Sequence, residues 1–202
     1  DMVVNYHSDE AGAEETARVV GERGRRALLV QGDVGLKVDV DRVFDQTLDR
    51  FGVPHVIVNN AAIQTWKPLL ELEERDWDRT LRTNLKGTFL CTQRAARELV
   101  AARQPGRIIN IGSGSNLRPF PKLIDYTCSK GGIETLTKVA AVELGAFGIT
   151  VNCVAPGAIE VERTRAETED YAGTWGRITP TRRVGQVEVV ALPVQLHTVP
   201  VV

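Results

Sequence analysis

The chain has 202 residues, 43% hydrophobic and 25% charged, with a formal net charge of −1. Such a chain suits one globular domain with a full core, and its balanced charge argues against nucleic-acid partners and a polybasic membrane patch. Cys91, Cys128 and Cys153 form no CxxC pair and have no histidine at ligand spacing, so they suggest neither a metal site nor a disulfide framework and fit a reducing cytoplasm; no apolar run reaches the roughly 18 residues of a membrane span.

Apolar runs of strand length alternate with amphipathic stretches. "MVVNY" (2–6) predicts a strand. Residues 9–24 predict a helix, acidic at its start and basic near its end, as the helix dipole favours. A strand over 26–34 follows. A helix over 37–52 places Val38, Val43, Phe44, Leu48 and Phe51 near one face and closes at Gly52. Residues 55–62 predict a strand running into a loop.

Residues 76–104 predict one long helix, with Trp77, Leu81, Leu85, Phe89 and Leu99 at turn spacing. A buried strand and its exit loop (106–115), a helix (125–148) and a strand ending at Pro-Gly (149–159) complete the alternation. Residues 160–185 are charged and lack a clear period. Pro193 and Pro200 argue against a regular final helix.

This alternation predicts a single α/β domain over 1–202: Rossmann-like, doubly wound, a mostly parallel sheet with helices on both faces. In such sheets the ligand crevice lies at the carboxyl ends of the strands. "NNAA", "SGS" and "PGAI" stand there, although a purely structural turn needs small or polar residues too.

Tyr126 and Lys130, four apart at a helix start, would share one face. A phenol titrates near pH 10, and a neighbouring ammonium lowers that value, making Tyr126 a candidate general acid/base. Ser113, thirteen residues earlier at a strand exit, could hold the same substrate oxygen; Ser115 could serve equally on spacing alone.

"NNAA" (59–62), "TNLKGTF" (83–89), "IINIGS" (108–113), "YTCSK" (126–130) and "VNCVAPGAI" (151–159) together resemble the short-chain dehydrogenase/reductase (SDR) family in order and spacing. The resemblance implies an NAD(P)-dependent oxidoreductase that moves hydride between a nicotinamide cofactor and a secondary alcohol, ketone or sugar. In it Tyr126 is the acid/base, Lys130 lowers its pKa and bonds the nicotinamide ribose, Ser113 polarises the substrate, and Asn84 holds a water behind the lysine. Asn60, Ala61 and Ala62 match the loop beside the cofactor ribose, with Ala62 where a glycine is usual. Asp33 and Val34 match the adenine contact. Pro156, Gly157 and Ile159 match the nicotinamide loop. A cytoplasmic homotetramer, built through helices 76–104 and 125–148, is also implied.

The family's first strand with its glycine-rich turn and its last strand have no counterpart here, so the chain is expected to be a fragment. Val161 stands where many members carry a cofactor-binding threonine. NAD-selective members carry an acidic residue at the end of the second strand; here Tyr6, His7 and Ser8 occupy that place, and NADP is expected in preference to NAD. Residues 160–180 correspond to the substrate lid, with Arg163, Arg165, Tyr171 and Trp175 as candidate contacts. The Pro-x-Pro of 119–121 and "NYHSDE" resemble the glucose 1-dehydrogenase and 3-oxoacyl-carrier-protein reductase branches. The rival expectation is a non-catalytic binding or regulatory protein on the same fold, inactive through loss of the phosphate-binding loop.

Overall fold

The β-branched runs form five short parallel strands: β1 Met2–Tyr6, β2 Ala27–Gln31, β3 Val56–Asn59, β4 Gly106–Ile111 and β5 Ile149–Val154. The computed structural model describes residues 1–167 and 169–198, and of residues 163, 167 and 195–198 the backbone alone. Eight α-helices are described: α1 Glu10–Glu22, α2 Lys37–Phe51, α3 Glu74–Leu81, α4 Gly87–Ala102, α5 Ile124–Leu144, α6 Glu162–Glu167, α7 Tyr171–Ile178 and α8 Val187–Thr198.

The strands pair as two parallel sheets, β1–β2 and β3–β4–β5. The expected parallel pairing therefore holds, but among the described residues β1 and β3 do not pair with each other. Val56 and Val58 of β3 remain 38% and 45% exposed. The core lies against the second sheet. Val40 and Phe44 of α2 and Leu90, Ala95 and Leu99 of α4 pack on Ile108, Ile149 and Val151. Arg94 of α4 bonds Asp41 and Asp45 of α2, at 3.1 and 2.8 Å, and so ties the two helices together.

The helix predicted over 76–104 is not continuous. A π-helical turn, Arg82–Lys86, separates α3 from α4. Its cause is local. Asn84 is fully buried, and its side chain is drawn to the loop after β3, accepting from Ile63 N and donating to Ile63 O, both at 2.8 Å. Such turns insert one extra residue and re-aim a side chain. Just beyond it, a Cβ on Gly87 would lie 2.8 Å from Val34 Cγ2, so glycine lets α4 approach the exit of β2.

The expectation of no regular final helix is overturned: α8 runs through Pro193. A proline costs a helix one hydrogen bond, about 3 kcal/mol. The packing of α8 against β4 and β5 supplies an offset. Pro200 lies outside the described residues. The stretch 160–185, without a period in the sequence, contains the two short helices α6 and α7.

Candidate active site

Each strand of the larger sheet ends in a loop that carries a candidate group. β4 leads through Gly112 to Ser113, which opens a 3-10 turn over Gly114–Asn116. Gly112 N donates to Val154 O and Gly114 N to Pro156 O, both at 2.8 Å, stitching the exit of β4 to that of β5. A Cβ on Gly112 would stand 2.6 Å from Cys153 Sγ, so only glycine permits this approach. Ser113 is half-buried and its Oγ accepts Ser115 N at 3.2 Å. Ser115 is buried, and its Oγ is shut away from solvent. Of the two serines that spacing leaves equal, Ser113 is the more accessible.

Tyr126 lies in the first turn of α5 and Lys130 one turn on. Lys130 is 3% exposed; its Nζ donates to Ile111 O at 2.6 Å and sits 5.5 Å from the centroid of the Tyr126 ring. An ammonium held there favours the phenolate form of a neighbouring phenol. The same carbonyl contact anchors the end of β4 to α5, so the exit carrying Ser113 and the turn carrying Tyr126 share one hinge point.

Asn84 completes the connection. Its Nδ2 also donates to Ser129 Oγ at 2.9 Å, and Ser129 Oγ donates to Tyr126 O at 2.6 Å. Its main-chain carbonyl accepts Thr88 Oγ1 at 2.7 Å. The side chain of Asn84 is thus a brace between the β3 loop and the helix turn of Tyr126. A second brace was not foreseen. Thr80 donates to the carboxylate of Asp125 at 2.7 Å, with both residues wholly buried. Ser129 was legible as the residue three after Tyr126 on one helix; nothing local pairs Thr80 with Asp125.

The cofactor candidates fall in two groups. Asn60 and Ala61 are exposed and Ala62 half-buried in the loop after β3. Pro156 is half-buried and Gly157 is exposed, with open space around any added Cβ. Ile159 bridges to Gly185, whose N–H donates to Ala158 O at 2.8 Å. Val161, at the usual threonine position, is half-buried, and Thr164 Oγ1 accepts Val161 N at 2.9 Å, bringing a hydroxyl into the same turn. The second group sits on the smaller sheet. Asp33 accepts Gly35 N at 2.8 Å and pairs with Arg82 at 3.2 Å, while Val34 packs on Gly87. Those contacts join the exit of β2 to the π turn and so to Asn84.

At the exit of β1, His7 and Ser8 are exposed, and Gln31 Nε2 donates to His7 O at 3.0 Å. No carboxylate occupies the strand end itself, but Glu10, four residues on, folds back and accepts a hydrogen bond from the Tyr6 hydroxyl at 3.3 Å. Partial burial and the charges of Glu10 and Glu14 hold the Tyr6 phenol above its usual pKa. Of the lid candidates, Tyr171 and Trp175 lie on one face of α7, and Arg165 pairs with Glu160 at 3.3 Å. The side chain of Arg163 lies outside the described residues.

Residues 1–172 match the sequence profile described as short chain dehydrogenase. A 3β-hydroxysteroid dehydrogenase 1 from Eggerthella lenta is 40% identical over 195 residues, covering 95% of this chain and 74% of that protein. Glucose 1-dehydrogenase 2 of Bacillus subtilis is 33% identical over 193 residues, covering 95% and 75%. The crystal structure of an Enterobacter cloacae acetoin dehydrogenase superposes with a TM-score of 0.86 at 36% identity, over 98% of this chain and 78% of that one. A Burkholderia cenocepacia gluconate 5-dehydrogenase, in complex with NADP and tartrate, gives 0.87 at 32% identity, over 96% and 76%. With Tyr126, Lys130, Ser113 and Asn84 gathered at the strand exits, this chain belongs to the short-chain dehydrogenase family, nicotinamide-dependent oxidoreductases acting on alcohols and ketones. Among the described residues, no helix is long and apolar enough to cross a membrane.

Proposed function

We propose that Tyr126 is the general acid/base of a reversible alcohol–ketone oxidoreduction, with Ser113 and Lys130 as its partners. One observation carries this: the Lys130 ammonium, buried and fixed by Ile111 O at 2.6 Å, lies beside the Tyr126 ring. In the oxidation direction the Tyr126 phenolate takes the proton of the substrate hydroxyl as the C–H bond breaks. Ser113 donates a hydrogen bond to the same oxygen, holding its charge as the carbonyl forms. Lys130 keeps the phenolate form accessible near neutral pH. The nicotinamide, when bound, accepts the hydride, or returns it in the reverse direction.

The residues present fit the nicotinamide half of such a cofactor. Asn60 and Ala61 are exposed at the exit of β3, and Gly157 leaves open space at the exit of β5. Asp33 and Val34 would meet the adenine. NADP is the cofactor preferred in this proposal, because His7 and Ser8 are exposed donors at the end of β1. Glu10 opposes that preference from beside Tyr6. The role of Asn84 as a water holder rests on family resemblance; its side chain is committed to Ile63 and Ser129.

The proposed setting is a cytoplasmic homotetramer. Phe89 of α4 and Val139 and Val142 of α5 are exposed apolar residues on the helices that would pair, at 42%, 52% and 83%. An open groove of about 550 Å³ running from α3 across the π turn to α4, lined by Leu81, Leu85 and Phe89, belongs to that face rather than to the catalytic groups. The relatives named above act on a hydroxysteroid, glucose, acetoin and gluconate by their names, so the substrate proposed at this level is a secondary alcohol, ketone or sugar.

The test is absorbance at 340 nm with the full-length protein, NAD or NADP and an alcohol panel. Turnover lost in Tyr126→Phe and Lys130→Met supports the proposal. Turnover that survives Tyr126→Phe would remove Tyr126 from the chemistry. A protein that binds cofactor but turns over nothing would favour the non-catalytic rival.

A further inference from the structure

The segment that joins Ser113 to Tyr126 is walled by rings. Phe120, in its middle, meets Trp175 of α7 edge to face, with centroids 4.4 Å apart and planes at 70°. Tyr171, one turn earlier on the same face of α7, lies 5.9 Å from Trp175. Lys67 N donates to Lys122 O at 3.1 Å, which ties the loop after β3, with Trp66 at 45% exposure, to the same segment. Leu117, two residues past the 3-10 turn's centre, is 77% exposed. Five of the chain's eleven aromatic residues, Trp66, Phe120, Tyr126, Tyr171 and Trp175, therefore stand on the segment from Ser113 to Tyr126 or on elements tied to it.

We infer that this wall selects a substrate with a bulky apolar or aryl group beside its carbinol carbon, and that the site takes hydrophobic secondary alcohols and ketones rather than sugars. The inference rests on the oxidoreductase reading given above and adds its substrate class.

Two physical points carry it. Large ring faces stripped of water by a ligand supply binding through buried apolar area and edge-to-face contact. A sugar can also stack on rings, but its recognition needs several fixed hydrogen-bond partners as well, because each buried hydroxyl left unmade is costly. Two of the polar groups on these segments, the Lys67 ammonium and the Asn116 amide, are committed elsewhere. Lys67 pairs with Glu73 and Asp76 at 3.1 and 2.8 Å. The Asn116 amide donates to Glu134. Arg118 and Lys122 are exposed to solvent.

The contact between Phe120 and Trp175 also gives α7 a definite seat. A substrate ring would extend that edge-to-face stack.

The full-length enzyme is assayed with 1-phenylethanol, 2-propanol and glucose, each with NAD and NADP. The expected result is kcat/KM for 1-phenylethanol at least roughly tenfold above that for either other alcohol, on the scale of a filled apolar pocket. Trp175→Ala should raise KM for 1-phenylethanol about tenfold, with a smaller effect on kcat and on 2-propanol, and Trp175→Phe should restore most of the loss. Glucose turned over as well as or better than 1-phenylethanol overturns the substrate class and leaves the oxidoreductase standing. Trp175→Ala acting equally on both alcohols overturns the role of the wall. No turnover of any alcohol overturns the oxidoreductase reading and this inference with it.

Discussion

The two sheets differ in how firmly they hold what they carry. In the three-stranded sheet, Ile108 and Ile109 of β4 and Ile149 of β5 are at most 1% exposed, and the loops beyond are cross-linked by Gly112, Gly114, Asn84 and Lys130. In the two-stranded sheet, only Val30 is buried; β1 is half-exposed along its length. The groups proposed to react hang on the first sheet. The groups proposed to meet the adenosine end hang on the second. Proton and hydride transfer demand reacting atoms placed to a fraction of an ångström. Binding an adenosine tolerates more play.

The sharpest way to break this comparison is Tyr126→Phe. A general acid/base contributes about 10²–10⁴-fold, so turnover at 340 nm should fall by that order while circular dichroism stays unchanged. An unchanged rate would detach the chemistry from the rigid sheet.

The packing difference predicts unequal costs for two similar asparagines. Asn110 of β4 is fully buried, accepting Asn59 Nδ2 at 2.8 Å and donating to Thr137 Oγ1 at 2.9 Å. Asn110→Leu should cost about 1–3 kcal/mol in urea unfolding, because buried partners are left unmade. Asn5 of β1 donates to Val30 O and Gly32 O, both at 3.1 Å, from a half-exposed position. Asn5→Ala should cost about 0.5–1 kcal/mol. Equal costs would mean that the two sheets are equally firm.

Gly87→Ala probes the joint between the two regions. The new Cβ would meet Val34 Cγ2 at 2.8 Å. The expected loss is about 1–3 kcal/mol from overpacking, read as a lower Tm.

Glu10→Gln is a smaller effect confined to the looser sheet. Removing its charge beside Tyr6 should raise the ratio of NADPH to NADH affinity roughly threefold, as measured by calorimetry, since exposed charges are well screened. No change would place Glu10 away from the ribose.

The mildest test is thiol labelling. Burial pushes the Cys91 thiol up to about 12, so at pH 8 it stays protonated and inert. Cys128 is exposed on α5 and should take iodoacetamide first, as read by mass spectrometry.

Periodicity alone was enough for the order of strands and helices as far as β5, because burial of one face repeats with the geometry of each element; α6, α7 and α8 were not read from it. The Tyr126–Lys130 pair was legible for the same reason: i and i+4 share a helix face. Three things were not. Residues 76–104 scan as one helix, yet Asn84 trades a regular turn for bonds to Ile63, 21 residues away. Ser113 and Ser115 are equivalent on spacing, and only the packing around Ser115 separates them. Phe120 and Trp175 lie in segments without a common period, and their rings meet only when α7 seats on the loop before α5. Local sequence determined the alternation of elements as far as β5 and the side-chain types they carry, since propensity and face repetition act over a few residues. The tertiary structure decided which serine is reachable, where the long helix breaks and which rings meet across α7, because those outcomes depend on partners distant in the chain.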